Sequence, residues 1–209
     1  MDKRHAISII TKCAKQYQKY LQGNQIAFVY YDENNNSAYT TVRFQSNNFL
    51  HFTGMSTISG KSANDFYRAS LNNRLNEKDI FFKDRYTTNL KLNVLEAIMN
   101  IDTKARMIGN YNGPHIELYT EKIVGTTTAC LCLKQVKDYY IPNSVLNEDI
   151  RTIIQKPPGK IYAIFKKPIN ASFYTQLTYK SSNISLTSQY IPEQLINQIE
   201  PSLLNNMIP

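Results

Sequence analysis

Three histidines, His5, His51 and His115, are the side chains best suited to acid–base chemistry near neutral pH. His5 lies near the start of the chain and His115 follows a Gly-Pro turn, whereas His51 lies inside the apolar run FLHFTG, residues 49–54. If this run is a strand, alternation places His51 on one face with Phe49 and Thr53. His51 is therefore a candidate general acid or base on a rigid element, although a structural histidine fits the same pattern.

A glycine-bounded loop follows this run. It reads GMSTISGKS over residues 54–62 and lies between an extended and a helical segment, as a phosphate-binding loop does. Such a loop has four residues between its glycines, and this one has five, which changes how the backbone N–H groups converge. The spacing therefore argues against nucleotide hydrolysis. Lys61 and Ser62, at the start of the helical segment, could still hold an anion such as an RNA phosphate.

The charge of the chain favours an anionic partner. It has 24 Lys and Arg against 16 Asp and Glu, a formal net charge of +8. Nucleic acid fits this charge, as would an anionic membrane surface or an acidic protein. Aromatic and cationic residues also alternate late in the chain, where rings can stack on bases and lysines can bind phosphates, although tyrosine is common in ordinary sheets. The candidate nucleic-acid contacts are Tyr140, Lys160, Lys166, Lys167, Tyr174, Tyr179 and Lys180.

The cysteines and the apolar runs exclude several classes of protein. Cys13, Cys130 and Cys132 are too few for a disulfide framework, and the last two should be buried on one face of a strand. No His or Cys lies around them at a metal-binding spacing, so we predict no metal and no cofactor. No apolar run approaches the ~18 residues of a membrane span, and we expect a soluble, cytoplasmic protein with no membrane partner.

Hydrophobic periodicity predicts the elements that position these groups. Three- and four-residue spacings predict helices over residues 2–22, 62–75 and 89–100, with a last helix over 192–205. Residues 26–31 and 38–44 predict a hairpin, and short β-rich segments follow the third helix. The order indicates a single α+β domain over 1–209, with its core in residues 26–180. We expect the N-terminal helices to pack on one face of a curved antiparallel sheet.

Several segments are distinctive enough to compare with a family: FLHFTG followed by SANDFYRASLNNRL, then LKLNVLEAIMNID, ARMIGNYN, LYTEKIVG and YYIPNSVLNEDI. Together they resemble a phage and bacterial family described as phage barnase–EndoU–colicin E5/D–RelE-like nucleases, fourth group. The resemblance spans about residues 5–180. It implies a compact α+β fold that holds RNA in the concavity of its sheet. It also implies metal-independent cleavage, in which the ribose 2′-hydroxyl attacks the adjacent phosphate and leaves a 2′,3′-cyclic phosphate.

Such a reaction needs a base for the 2′-hydroxyl, cations for the developing phosphorane charge and an acid for the leaving oxygen. His51 falls on the histidine of the family motif and is the predicted base or acid. The other candidates are Lys61, Lys91 and Lys122 for charge stabilisation, and Tyr67 and Thr53 for hydrogen bonding. RNA in a bacterial host cell is the expected substrate, with a protein inhibitor or host target as a further partner. Two alternatives stay open: a non-catalytic nucleic-acid-binding protein on the same fold, and a phage or mobile-element protein that inhibits a host factor.

Overall fold

The computed structural model describes residues 1–58, 60–114, 119–154, 158–184, 186 and 190–205, so His115 lies outside the described residues. The helices are α1 Lys3–Tyr20, α2 Phe49–Thr53, α3 Ala63–Leu71, α4 Arg85–Ile98, α5 Ile101–Lys104, α6 Glu193–Ile196 and α7 Pro201–Asn205. The strands are β1 Asn24–Tyr31, β2 Ser37–Arg43, β3 Met55–Thr57, β4 Ile80–Phe82, β5 Met107–Asn110, β6 Lys122–Gly125, β7 Cys130–Val136, β8 Tyr139–Leu146, β9 Gly159–Pro168 and β10 Gln176–Lys180.

Seven of these strands close into a barrel. Its order is β1-β2-β8-β7-β6-β5-β9, and β9 pairs back onto β1, while β10 extends one edge of β9. The barrel strands pair antiparallel except β2 and β8, which meet in a parallel bridge between Val42 and Tyr140. The α+β class is confirmed. The expected curved sheet is a closed barrel, because β9 pairs with β5 as well as with β1 and so joins the two ends of the sheet. The helices are also not all N-terminal, since α4 and α5 lie in the middle of the chain.

The helices confirm most of the periodicity but shift its boundaries. α1 begins after Asp2, whose carboxylate accepts the His5 N–H at 2.8 Å. A capping box formed by Ser62 and Asp65 starts α3. α4 begins four residues earlier than predicted, at Arg85, because the Asp84 side chain caps it. The helix predicted over 192–205, with an interruption at Pro201, is divided into α6 and α7, and Pro201 begins the second.

Two hydrophobic clusters cover the two faces of the β1–β9 pair. Ile26 and Phe28 belong to the larger cluster, which also holds the buried sides of α1, α3 and α4. Ala27 and Val29 face the other way and pack against the C-terminal segment, including Leu195. Since β1 is buried on both faces, it lacks the alternation of a half-exposed strand. No helix among the described residues is both long enough and apolar enough to cross a membrane.

Candidate active site

His51 lies on a short helix, α2, and the prediction of a strand here was wrong. A 3-10 turn over Ser46–Asn48 leads into α2, and the Asn48 side chain accepts the Gln45 N–H at 2.7 Å. Gly54 ends α2 in the left-handed conformation, with φ of +70°. Glycine after a short run is an ordinary signal of a helix end, whereas the Asn48 side chain serves the 3-10 turn and does not cap α2.

An aromatic cluster stabilises this turn and turns His51 outward. Phe49 and Phe52 are both fully buried, with ring centroids 5.3 and 5.8 Å from that of Tyr17. Three residues apart, the two phenylalanines share a face only on a helix, whereas a strand would place them on opposite faces. Tyr67 packs on the same cluster, 5.3 Å from Phe49. The imidazole of His51 consequently lies on the exposed side of α2.

The end of α2 crosses α4 at very short range. A Cβ at Gly54 would lie 2.9 Å from the Thr88 Cα, so only glycine permits this approach. The Thr88 hydroxyl and the Lys83 N–H both donate to the Gly54 carbonyl, at 2.8 and 3.1 Å. The β3–β4 pairing, which aligns Met55 with Phe82, holds the chain after α2 beside the chain before α4. Lys83 is thereby brought close to His51.

Lys91 lies on the side of α4 that carries Thr88 and faces Gly54, and with Lys83 it forms the group of cations around His51. Its Nζ donates to the His51 carbonyl at 3.2 Å and to the Ser144 hydroxyl on β8 at 2.8 Å. Burial lowers the pKa of Lys91 to about 8, and the charge of Lys83 acts in the same direction. Lys91 is therefore still mainly protonated at neutral pH, but it can release a proton far more readily than an exposed lysine.

The imidazole of His51 is available for proton transfer. Within the part of the chain that the structure describes, no residue hydrogen-bonds to either ring nitrogen. Partial desolvation lowers the pKa of His51, and the positive charges of Lys83 and Lys91 lower it further. At neutral pH the ring is mainly unprotonated, which is the form that a general base needs.

Thr53 and Tyr67, the two predicted hydrogen-bonding residues, are both buried. The Thr53 hydroxyl donates to the Leu50 carbonyl and accepts the Met55 N–H, so it closes the end of α2. Tyr67 is 3 % exposed, and burial raises the pKa of its hydroxyl. Neither side chain reaches the surface on which His51 lies, so both act on α2 from inside the core.

Lys61 and Lys122 lie apart from His51 and Lys91. Lys61 Nζ forms an ion pair with Asp79, at 2.7 Å, and the carboxylate of Asp65 occupies the start of the adjacent helix α3. The predicted anion site at this helix is therefore already filled by the chain itself. Lys122 lies on β6, separated from β8 by β7, and donates to the Asn110 side chain at 3.0 Å.

The predicted nucleic-acid contacts divide by burial. Lys167 is 7 % exposed and donates to the Ser172 carbonyl, and the ring of Tyr174 is fully buried, so neither presents a surface to a nucleic acid. Lys166 is bound to Asp102 inside the protein. Lys160 and Lys180 are exposed, and Tyr140 is half-buried. The ring of Tyr179 stacks against the guanidinium of Arg106. Cys130 and Cys132 are both buried in one cluster on the outer face of β7, as predicted.

Lys83 is a candidate site residue that the sequence analysis missed. It directly precedes Asp84, the capping residue of α4, and lies eight positions before Lys91. The sequence signal that could have indicated Lys83 is Asp84, a capping residue. Asp84 places the start of α4 at Arg85 and so places Lys83 next to the first turn of α4. The prediction of a helix from residue 89 concealed that relation.

Comparison with protein families gives a match that covers most of the chain. The family model described as phage-Barnase-EndoU-ColicinE5/D-RelE like nuclease 4 matches residues 9–183. No curated protein and no solved structure matches the chain. The matched span includes His51, Lys83 and Lys91 and confirms the resemblance drawn from the sequence segments.

Proposed function

Because the chain belongs to the phage-Barnase-EndoU-ColicinE5/D-RelE-like nuclease 4 family, we propose that it is an endoribonuclease whose reaction needs no metal ion. Family membership supports a nuclease-like function in general. The observation that carries the finer proposal is the exposed imidazole of His51 beside Lys91, whose Nζ lies 3.2 Å from the His51 carbonyl. The two groups have opposite protonation states at neutral pH, as a base and an acid require.

In the proposed reaction, the unprotonated imidazole of His51 takes the proton from the ribose 2′-hydroxyl. The 2′-oxygen attacks the adjacent phosphorus, and the bond from phosphorus to the 5′-oxygen breaks. Lys91 gives its proton to that leaving oxygen, and its charge, with that of Lys83, stabilises the phosphorane. The products are a 2′,3′-cyclic phosphate and a 5′-hydroxyl, and exchange with water restores both proton states.

The decisive experiment uses an RNA oligonucleotide in buffer containing EDTA, with product ends identified by mass spectrometry. We expect ends with a 2′,3′-cyclic phosphate, and no cleavage at a position carrying a 2′-deoxyribose, because that sugar lacks the nucleophile. Cleavage of the deoxy position would contradict the mechanism. RNA bound but not cut would instead favour a non-catalytic binding protein, and neither binding nor cleavage would favour an inhibitor of a host factor.

The rate of cleavage should follow a bell-shaped pH profile. The base must be unprotonated, so kcat/KM should rise with pH through the pKa of His51, which lies below its ordinary value of 6.5. The acid must be protonated, so kcat/KM should fall as Lys91 loses its proton near its pKa of about 8. Lys91→Arg should remove the alkaline fall, because arginine stays protonated, and lower the maximal rate. An unchanged alkaline fall in this variant would exclude Lys91 as the acid.

A further inference from the structure

We propose that the outer face of β8 binds the single-stranded RNA that flanks the scissile bond, an inference that rests on the endoribonuclease function proposed above. The surface consists of Arg43, Lys134 and Tyr139, and we refer to it as the β8 strip. It begins beside Ser144, which accepts a hydrogen bond from Lys91, and it ends at Arg43. The strip would hold RNA by phosphate contacts and by stacking, without base-specific readout.

The β8 strip is continuous with the active site along one edge of β8. At one end, the bridge between Val42 and Tyr140 places the end of β2 beside β8. Further along, the Asn48 side chain donates to the Pro142 carbonyl at 3.3 Å, immediately before α2 begins. At the other end, Lys91 reaches Ser144. Strand geometry makes the path from Tyr139 to Ser144 about 16 Å long, at roughly 3.3 Å per residue. That length extends well beyond the reacting phosphate.

A β-bulge places the members of the strip on the outer face together with Ser144. The pairs of β7 and β8 on this face are Val136↔Tyr139, Lys134↔Ile141 and Cys132↔Ser144. The register shifts between Cys132 and Leu133. On β8 the outward-facing residues are therefore odd-numbered before the bulge and even-numbered after it. The clusters agree, because Cys132 and Leu146 belong to the outer cluster, and Leu133 and Val145 to the large inner one. The strip therefore lies on the same face of the sheet as Ser144. Ser144 is 1 % exposed, so the strip ends where the hydrogen bond from Lys91 to Ser144 is buried.

Arg43 is the anchor of the strip. Its guanidinium lies 3.9 Å from the ring centroid of Tyr139, and its Nε donates to the Gln25 side chain at 2.7 Å. Among the residues that the structure describes, Arg43 has no carboxylate partner. The guanidinium is thus fixed in place while its terminal NH₂ groups keep their capacity for a phosphate. Preorganised in this way, it loses little side-chain entropy on binding.

Lys134 supplies the charge between Arg43 and the active site. Its side chain is exposed, and no described carboxylate forms an ion pair with it. The neighbouring acid, Glu121, is engaged with the Gln135 N–H at 3.0 Å. Arg43, Lys134 and the two active-site lysines supply four positive charges along this path. They outnumber the carboxylates of Glu121 and Asp138 beside it, which suits a polyanion.

The barrel offers a matched control for Arg43. Arg106 makes the same kind of contact, with its guanidinium 3.7 Å from the ring centroid of Tyr179. It immediately precedes β5, however, which β6 and β7 separate from β8. Its Nη1 is also bound to the Thr103 and Ala105 carbonyls. Arg106→Ala should therefore remove a comparable stacked cation without affecting the proposed RNA path.

The experiment compares kcat/KM for a ribodinucleotide and for a longer RNA. We expect Arg43→Ala to raise KM for the longer RNA about tenfold, because the variant loses a preorganised phosphate contact. The effect of Arg43→Ala on KM for the dinucleotide should be at least several times smaller, because the dinucleotide does not reach Arg43. The slope of log affinity against log salt should become shallower by about 0.7 for each phosphate that the variant no longer binds. Arg106→Ala should leave both substrates unchanged.

Binding of an uncleavable RNA, with 2′-deoxyribose at the scissile position, separates this proposal from the proposed function. Weaker binding by Arg43→Ala, with no cleavage by the wild type, would support the strip and contradict the endoribonuclease. Normal cleavage with equal effects of Arg43→Ala and Arg106→Ala would overturn the strip alone. Because Arg43→Ala leaves the Gln25 side-chain oxygen without its donor, Lys134→Ala serves as a second variant. It breaks no side-chain hydrogen bond among the residues that the structure describes. Unchanged affinity in both strip variants would also overturn the proposal.

Discussion

His51→Ala should lower kcat/KM for RNA by about 10²–10⁴-fold, the usual contribution of a positioned general base. Lys91 contacts the backbone carbonyl of His51, and burial and neighbouring charges already favour the unprotonated form of the His51 imidazole. Removing it leaves only water to accept the proton of the 2′-hydroxyl. The measurement is single-turnover cleavage of a defined RNA, with circular dichroism to follow folding.

The fold should tolerate this substitution, which makes the loss of activity interpretable. His51 is exposed and its backbone, not its ring, receives the hydrogen bond from Lys91. The free energy of unfolding should therefore change by no more than about 0.5 kcal/mol. His5→Ala, at an exposed position on α1, is the matched control and should cleave at the wild-type rate. Added imidazole should partly restore His51→Ala, whereas cleavage by this variant within threefold of the wild type would remove His51 from the mechanism.

Lys166→Ala should lower the free energy of unfolding by about 3–5 kcal/mol, the usual cost of breaking a buried ion pair from one side. Lys166 Nζ lies 2.7 Å from the Asp102 carboxylate, and the two side chains are only 12 % and 4 % exposed. The same ammonium donates to the Tyr20 carbonyl at the end of α1. Its removal leaves Asp102 charged and unpaired between α5 and β9. Urea unfolding followed by circular dichroism measures the loss.

Lys160→Ala is the control for this prediction. Lys160 lies on the same strand, β9, but its side chain is exposed. Its replacement should change the free energy of unfolding by no more than about 0.5 kcal/mol. If Lys166→Ala proved as stable as Lys160→Ala and lost RNA affinity instead, the result would contradict the buried ion pair. It would support Lys166 as an RNA-binding residue, as the sequence predicted.

Local patterns in the sequence were sufficient for the helices that frame the site. The three-residue and four-residue spacings predicted α1, α3 and α4, and a capping box begins α3 at the predicted place. These signals suffice because a helix closes its hydrogen bonds within its own segment. The hairpin of β1 and β2 was predictable for the same reason, since its partners are close in sequence. The segments around FLHFTG were also enough to indicate the nuclease family.

Only the tertiary structure decided which charged groups meet. Lys91 and Lys166 look alike in the sequence, yet Lys166 reaches Asp102, 64 residues away, whereas Lys91 lies beside His51 with no carboxylate among the described residues. The helical turn of α2 depended in the same way on Tyr17, which lies more than thirty residues earlier. Closure of the barrel by β9 is likewise non-local. Periodicity reports which face of a segment is buried, whereas the partner on that face is set by the folded chain as a whole.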